Sequence, residues 1–126
     1  MKKNILIIDD EPLIRDLIED SIQRFFTQVN ITTANDGLEA YLNTSRFNFD
    51  LIITDHKMPF CTGLDFIKKI RTTDNLNSST PIIVISGYIP EIENEVIVLE
   101  NLFYLDKPFK TDRLIKYCKI TLGASG

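Results

Sequence analysis

Leu51-Ile52-Ile53-Thr54-Asp55, at residues 51–55, is a run of aliphatic and β-branched side chains that ends in a carboxylate. Polar and apolar residues do not alternate in it, which is typical of a β-strand covered on both faces. Strands of this kind occur in parallel sheets that carry helices on either side. The acidic residue would then lie at the carboxyl edge of such a sheet, where functional groups collect.

Four other short runs have the same character, although the second of the five in chain order is the weakest. They are Ile5–Ile8, Ile31–Thr33, Ile82–Ile85 and Leu102–Leu105. Together with Leu51–Thr54 they predict five strands.

Stretches with helical periodicity separate these runs. The first begins at Pro12, which suits the first turn of a helix, and the turn at Asp36-Gly37 precedes the second. The side chains expected to face inward are, helix by helix, Leu13, Ile14, Leu17, Ile18, Ile22 and Phe25; Leu38 and Leu42 between Gly37 and about Asn43; Leu64, Ile67 and Ile70 between Thr62 and Arg71; Ile92, Val96 and Leu99 after Pro90; and Leu114, Ile115, Cys118 and Leu122 after Phe109. The alternation of strands and helices predicts one doubly wound α/β domain, with a five-stranded parallel sheet, right-handed crossovers and helices on both faces.

Size, charge and composition narrow the possible classes of function. The 126 residues are 44% hydrophobic and 25% charged, which fits a single globular domain. A net charge of −4 offers no basic surface, so we expect no direct binding to nucleic acid. The apolar run before Asp9-Asp10 is four residues long, too short for a signal peptide or a membrane span. With Cys61 and Cys118 as reduced thiols, we expect a cytoplasmic protein without membrane contact.

Five reactive or charged side chains follow the ends of four of the predicted strands. They are Asp9, Asp10, Asp55, Ser86 and Lys107. Any one of them alone could cap a helix or extend into solvent. Because the carboxyl ends of parallel strands lie at the same edge of the sheet, we expect all five side chains to lie close together. Carboxylates held close together repel one another, and a hard divalent cation removes that repulsion. The sequence therefore predicts a Mg²⁺ site beside a hydroxyl and an ammonium group.

Over essentially its whole length the sequence resembles the response-regulator receiver domains of two-component signalling, the CheY-like family. The segments that carry the resemblance are Ile7–Pro12, Ala34–Ala40, Asp50–Pro59, Pro81–Gly87 and Lys107–Phe109. The resemblance implies a flavodoxin-like sheet with strand order 2-1-3-4-5. It also implies a receiver domain over residues 1–122, followed at 123–126 by a tail, the start of a linker or a cloning remnant.

The resemblance assigns a role to each acidic residue of the predicted site. Asp55 would accept the phosphoryl group. Asp10 and Asp55 would bind Mg²⁺ directly, together with the main-chain carbonyl of Lys57, whereas Asp9 would act mostly through water. The domain would be a signalling module rather than an enzyme, one that catalyses its own acceptance and slow loss of phosphate.

A second set of residues is implied to read out and preserve the phosphorylated state. Ser86 would donate a hydrogen bond to the phosphoryl group, Lys107 would pair with it, and Tyr104 would change rotamer. Lys57 and Tyr88 would flank the path of the attacking water, so we expect a long-lived phosphorylated form. The resemblance further implies a cis peptide between Lys107 and Pro108, and an output face built from the fourth helix, fifth strand and fifth helix.

The implied phosphate donor is a histidine kinase or a histidine phosphotransfer protein, and the output is a domain beyond residue 126 or a separate effector protein. A phosphorylation-independent scaffold is one alternative, against which the intact acidic set argues. An aspartyl-phosphate hydrolase would need an Asp-x-Asp pair after the first strand, where this chain has Asp9-Asp10-Glu11. A flavin-binding carrier would need a hydroxyl- or Gly-rich phosphate loop there. His56 is expected to be a partly exposed loop residue directed away from Asp55.

Overall fold

Five parallel strands form one sheet in the order β2-β1-β3-β4-β5 in the computed structural model, which describes residues 2–59, 61–87 and 101–123. The strands are β1 Lys3–Ile8, β2 Val29–Ala34, β3 Leu51–Asp55, β4 Ile82–Ser86 and β5 Leu102–Asp106. Every adjacent pair is parallel. The predicted doubly wound α/β sheet and its strand order are therefore confirmed.

Four helices accompany the sheet within the described residues. They are α1 Pro12–Phe25, α2 Gly37–Arg46, α3 Gly63–Thr72 and α4 Thr111–Leu122. The last of these is the fifth helix predicted from the sequence. The helix predicted after Pro90, with Ile92, Val96 and Leu99, lies outside the described residues, as do positions 124–126. The domain boundary at residue 122 stays a prediction.

Two buried clusters cover the two faces of the sheet, and β3 contributes to both. Leu51 and Ile53 pack with α1 and α4, whereas Ile52 packs with α2 and α3. Successive side chains of a strand point to opposite faces, so an uninterrupted apolar strand needs cover on both sides. The inward residues predicted for the α3 and α4 segments are all buried: Leu64, Ile67, Ile70, Leu114, Ile115, Cys118 and Leu122.

The buried face of α1 is narrower than the apolar stripe predicted from the sequence. Leu13 is 82% exposed, and Leu17 and Phe25 are exposed as well. Ile18 and Ile22 are buried, four residues apart on one side of the helix. Leu13 and Leu17 precede Ile14 and Ile18 by one position each, about 100° around the helix, which places them beyond the edge of the packed face.

The prediction that Leu38 and Leu42 face inward on α2 is wrong. Leu38 is 64% exposed and Leu42 is also exposed, while Gly37, Ala40 and Thr44 are buried. Small inward residues let a helix lie close to its neighbours. At Gly37 this closeness is evident, since an added Cβ would lie 2.7 Å from the Cβ of Cys61.

A buried amide joins the amino ends of the central strands to the end of α2. The Asn77 side chain is fully buried. Its Oδ1 accepts hydrogen bonds from the Phe49 N–H at 2.8 Å and the Thr80 hydroxyl at 3.1 Å. Its Nδ2 donates to the carbonyls of Thr44 at 2.9 Å and Phe47 at 2.7 Å. The amide thus uses both lone pairs and both protons.

We predict that Asn77→Ala lowers the free energy of unfolding by about 2–4 kcal/mol, because it leaves buried main-chain groups without partners. Urea denaturation followed by circular dichroism measures the loss. Asn30→Ala, at an exposed position on β2, is the matched control and should change stability by less than about 0.5 kcal/mol. Equal midpoints for Asn77→Ala and the control would contradict the role of this amide.

Candidate functional site

The carboxyl edge of the sheet brings together the residues that the sequence placed at strand ends. Asp9 follows β1, Asp55 ends β3, Ser86 ends β4 and Lys107 follows β5. Asp55 is level with Ile85 in the sheet, so the ends of β3 and β4 lie side by side. The Lys107 N–H donates to the Ser86 carbonyl at 2.9 Å, which extends the pairing of β4 and β5 beyond Asp106.

Three carboxylates form a compact cluster at this edge. Asp9, Asp10 and Asp55 each offer an oxygen within 4.8 Å of the others. Asp9 is fully buried and Asp55 is only 4% exposed, whereas Asp10 is exposed. Such a set offers hard oxygen ligands and keeps one side open to water, which is the arrangement that Mg²⁺ prefers.

The Asp9 carboxylate lies in an environment in which a positively charged partner would stabilise it. Its Oδ1 accepts a hydrogen bond from the Glu11 N–H at 2.9 Å, while its Oδ2 is buried without a hydrogen-bond partner among the described residues. Burial raises the pKa of Asp9 to about 6, with the charges of Asp55 and Asp10 adding to the effect and the Glu11 N–H and Lys107 opposing it. A buried carboxylate oxygen without a donor is costly, and a cation at this point satisfies it. These residues therefore fit a divalent metal ion.

Asp55 is held by two donors on the same oxygen. The Lys107 ammonium lies 2.8 Å from Asp55 Oδ1, and the His56 N–H donates to that oxygen at 2.9 Å. Burial acts to lower the pKa of Lys107, but the hydrogen bond and charge of Asp55 outweigh it and the pKa is raised. Lys107 is therefore charged at neutral pH and fixed beside the carboxylate.

The loop after β3 is fixed by a close approach of two main-chain segments. The Gly63 N–H donates to the His56 carbonyl at 2.7 Å. A Cβ at Gly63 would lie 2.4 Å from the Asp55 carbonyl oxygen, so only glycine fits there without a shift of the main chain. Thr62 caps α3 through a reciprocal pair of hydrogen bonds with Asp65. Asp55 thus stands between a buried strand and an anchored helix start.

Other residues named from the sequence take varied positions. Ser86 is buried, Tyr104 is half-buried against the cluster on the α3 side of the sheet, and Lys57 is exposed. Tyr88 lies outside the described residues. His56 is half-buried, and its Nδ1 is buried without a partner within the described ranges. The implied cis peptide between Lys107 and Pro108 is present.

Arg15 is a neighbour of the site that the sequence reading missed. It lies on α1, and its Nη1 donates to the Asp9 carbonyl at 2.8 Å and to the Asn35 Oδ1. No motif marks a contact between a helical side chain and a main-chain carbonyl six residues earlier, because it depends on how the loop after β1 turns into the helix.

Residues 5–119 match the family described as the response regulator receiver domain. Among curated proteins, the chemotaxis protein CheY1 of Helicobacter pylori is 30% identical over 124 residues, which cover 96% of this chain and 98% of that protein. Among solved structures, the chemotaxis response regulator CheY4 of Vibrio cholerae superposes with a TM-score of 0.84 at 30% identity, covering 96% of this chain and 99% of the other.

A third similar protein is described with a bound metal ion. It is the receiver domain of the sensor histidine kinase PA1611 of Pseudomonas aeruginosa, described with a magnesium ion coordinated in its active-site cleft. It superposes with a TM-score of 0.82 at 25% identity, covering 98% of this chain and 99% of that domain.

Several curated relatives are much longer than this chain, which spans between 6% and 50% of their length. Within the described ranges, no helix has the length and apolar character needed to cross a membrane. The family match covers nearly the whole of the sheet and its helices. The chain belongs to the response regulator receiver domains, the phosphoacceptor domains of two-component systems.

Proposed function

We propose that Asp55 is the phosphoacceptor of this receiver domain. The observation that carries the proposal is the buried Asp55 carboxylate, with the Lys107 ammonium 2.8 Å from its Oδ1 and two further carboxylates beside it. In the transfer, an Asp55 oxygen forms a bond to phosphorus as the bond from phosphorus to the donor nitrogen or oxygen breaks. The donor atom leaves with the electron pair of the broken bond.

The role of the chain in this transfer is to position the acceptor and neutralise charge. Lys107 fixes one oxygen of Asp55 and, after transfer, pairs with the phosphoryl oxygens. The His56 N–H holds the same carboxylate oxygen from the main chain. Because the group that changes is a residue of the domain itself, the protein is a signalling module rather than a turnover enzyme. Self-catalysed acceptance and slow loss of the phosphate belong to the same proposal.

We propose that Asp10, Asp55 and the main-chain carbonyl of Lys57 bind Mg²⁺ directly, with Asp9 contributing mostly through water. Bound there, the ion supplies positive charge against the carboxylates and the transferred phosphoryl oxygens. Two observations support this assignment: the close acidic cluster, and the buried Oδ2 of Asp9, which has no hydrogen-bond partner among the described residues.

We predict that the protein binds Mg²⁺ in isothermal titration at neutral pH, and that Asp10→Asn weakens this binding at least about tenfold. The expected loss is large because even groups that only orient a metal ligand cost about 10–100-fold in affinity. Asp20→Asn, at an exposed position on α1, removes the same charge away from the site and should change affinity little. Equal affinities for Asp10→Asn and wild type would place the metal elsewhere.

Acetyl phosphate should give a covalent phosphoryl adduct in the presence of Mg²⁺, visible by intact-mass analysis. Asp55→Asn is expected to abolish the adduct because the amide is not a nucleophile for phosphorus. Asp106→Asn provides a matched control, since this carboxylate lies at the same sheet edge but is exposed. An adduct that persists in Asp55→Asn at the wild-type level would assign the acceptor to another residue.

The conformational switch would follow from a hydrogen bond and an ion pair that differ between the unphosphorylated and the phosphorylated state. Ser86 would bind the phosphoryl group as a donor, Lys107 would follow it, and Tyr104 would change rotamer. A ligand shifts an equilibrium only through such differential binding. Residues Lys57 and Tyr88 are proposed to slow phosphate loss by flanking the approach of water.

The proposed partners are a histidine kinase or a histidine phosphotransfer protein as phosphate donor, and an output domain beyond residue 126 or a separate effector as target. The proposed location is the cytoplasm. The family match and the kinase-linked relatives support this assignment.

Beryllium fluoride, which occupies the place of the phosphoryl group, should change amide hydrogen exchange along β5 and up to Lys107. Lys107→Met is expected to keep the mass adduct from acetyl phosphate but to lose this remote exchange change, since the ammonium is the link between the two. The control is Lys110→Met, three residues further along and exposed. Exchange changes confined to residues 56–62 in wild type would count against an output face that includes β5.

A further inference from the structure

Arg15 connects the loop after β1 to the loop after β2. The residue is half-buried, and its Nη1 donates to both the Asp9 carbonyl, at 2.8 Å, and the Asn35 Oδ1. One group of the first turn of α1 thus holds the main chain at the first acidic residue and the side chain at the end of β2. A planar guanidinium can serve both acceptors from one position.

The second loop is itself anchored to α2. The Asn35 N–H and its Nδ2 donate to Glu39 Oε2 at 3.3 and 3.1 Å. Glu39 belongs to the first turn of α2, and its own N–H donates to Asp36 Oδ1 at 2.8 Å. The hydrogen bonds therefore run without a break from the Asp9 carbonyl, through Arg15 and Asn35, to a capped helix start.

The remaining groups of Asp9 show what this anchoring achieves. The Asp9 N–H donates to the Ala34 carbonyl at 3.1 Å, and its Oδ1 accepts from the Glu11 N–H at 2.9 Å. With the carbonyl held by Arg15, the side-chain Oδ2 is the one polar group of this residue without a partner in the described part of the chain. Both main-chain polar groups of Asp9 are therefore held by hydrogen bonds within the protein.

We propose that Arg15 is a positioning residue for the acidic metal site: it holds the loop that carries Asp9 and Asp10 in the geometry that binds Mg²⁺. The inference rests on the proposed function, since it concerns the same acidic cluster. Arg15 acts through the main chain of Asp9 rather than by touching the ion.

Loss of Arg15 would change the Mg²⁺ affinity in opposite directions, depending on whether its charge or its positioning of the loop dominates. A guanidinium near a cation site repels the cation, so if charge alone mattered, its removal would tighten Mg²⁺ binding. If Arg15 orders the loop that carries the ligands, its removal loosens that loop and weakens Mg²⁺ binding. The conformational entropy lost on ordering the loop then opposes metal binding. The sign of the change separates the two effects.

Isothermal titration with MgCl₂ on wild type, Arg15→Gln and Arg24→Gln tests the proposal. Arg24 lies in the last turn of the same helix, so its variant has the same charge change far from the loop. We expect Arg15→Gln to weaken Mg²⁺ binding by about tenfold, the lower end of the range for groups that orient a metal ligand. Arg24→Gln should stay within a factor of about two, the small effect of a distant screened charge. Binding by Arg15→Gln that is unchanged or tighter overturns the proposal.

Circular dichroism melts in EDTA report whether each variant is folded without metal. Should Arg15→Gln be unfolded, Asn35→Ala decides the question, since it removes the other acceptor of the guanidinium while keeping Arg15. Weaker Mg²⁺ binding by Asn35→Ala supports the proposal, and unchanged binding overturns it. A wild type that binds no Mg²⁺, or an Asp10→Asn variant that binds it equally well, would instead remove the proposed metal site itself.

Discussion

The mutual repulsion of Asp9, Asp10 and Asp55 is the constraint around which the carboxyl edge of the sheet is arranged. Their oxygens come within 4.8 Å of one another, and burial of two of the three side chains removes the water that would screen them. Lys107, at 2.8 Å from Asp55, offsets part of this repulsion. A metal ion or a phosphoryl group bound at this edge, as proposed, would alter that balance of charge.

Lys107 links that charge balance to the rest of the sheet. Its ammonium is held by Asp55, and its main-chain N–H is held by the Ser86 carbonyl at the end of β4. Tyr104 lies opposite Val84 in the register of β4 and β5, three residues before Lys107. A change of charge at Asp55 therefore acts directly on the end of β5. The proposed switch would need no long path, because the proposed acceptor, Asp55, and Lys107 at the end of β5 share one ion pair.

The strands and the reactive residues could be predicted from the sequence because each depends on local signals. An apolar run such as Leu51–Thr54 has one stable environment, and parallel strands place their carboxyl ends together. The buried faces of the helices were harder to predict. Leu38 was expected on the buried face of α2, but small residues such as Ala40 occupy that face, and small side chains give a weaker hydrophobic signal than leucine. Arg15 and Asn77 donate to main-chain carbonyls, six residues away for Arg15 and 30 and 33 residues away for Asn77, and no pattern of side chains encodes such contacts.

At the opposite edge of the sheet, polar groups are hydrogen-bonded within the protein instead of repelling one another. This difference between the two edges explains how the site can hold unfavourable charge. At the amino ends of the strands Arg71 donates to the carbonyls of Thr80 at 2.6 Å and Asn101 at 3.1 Å. Asn101 adopts a positive φ of 54°, which asparagine tolerates better than most residues, and its Nδ2 donates to the Ser79 carbonyl.

Together with the buried amide of Asn77, these bonds join the lead-in segments of β3, β4 and β5 by polar groups that are satisfied within the protein. Satisfied buried polar groups fix one arrangement of the chain. The sheet is thus anchored at the edge away from the site. The strand order on which the site depends is therefore held at the edge away from the repelling carboxylates.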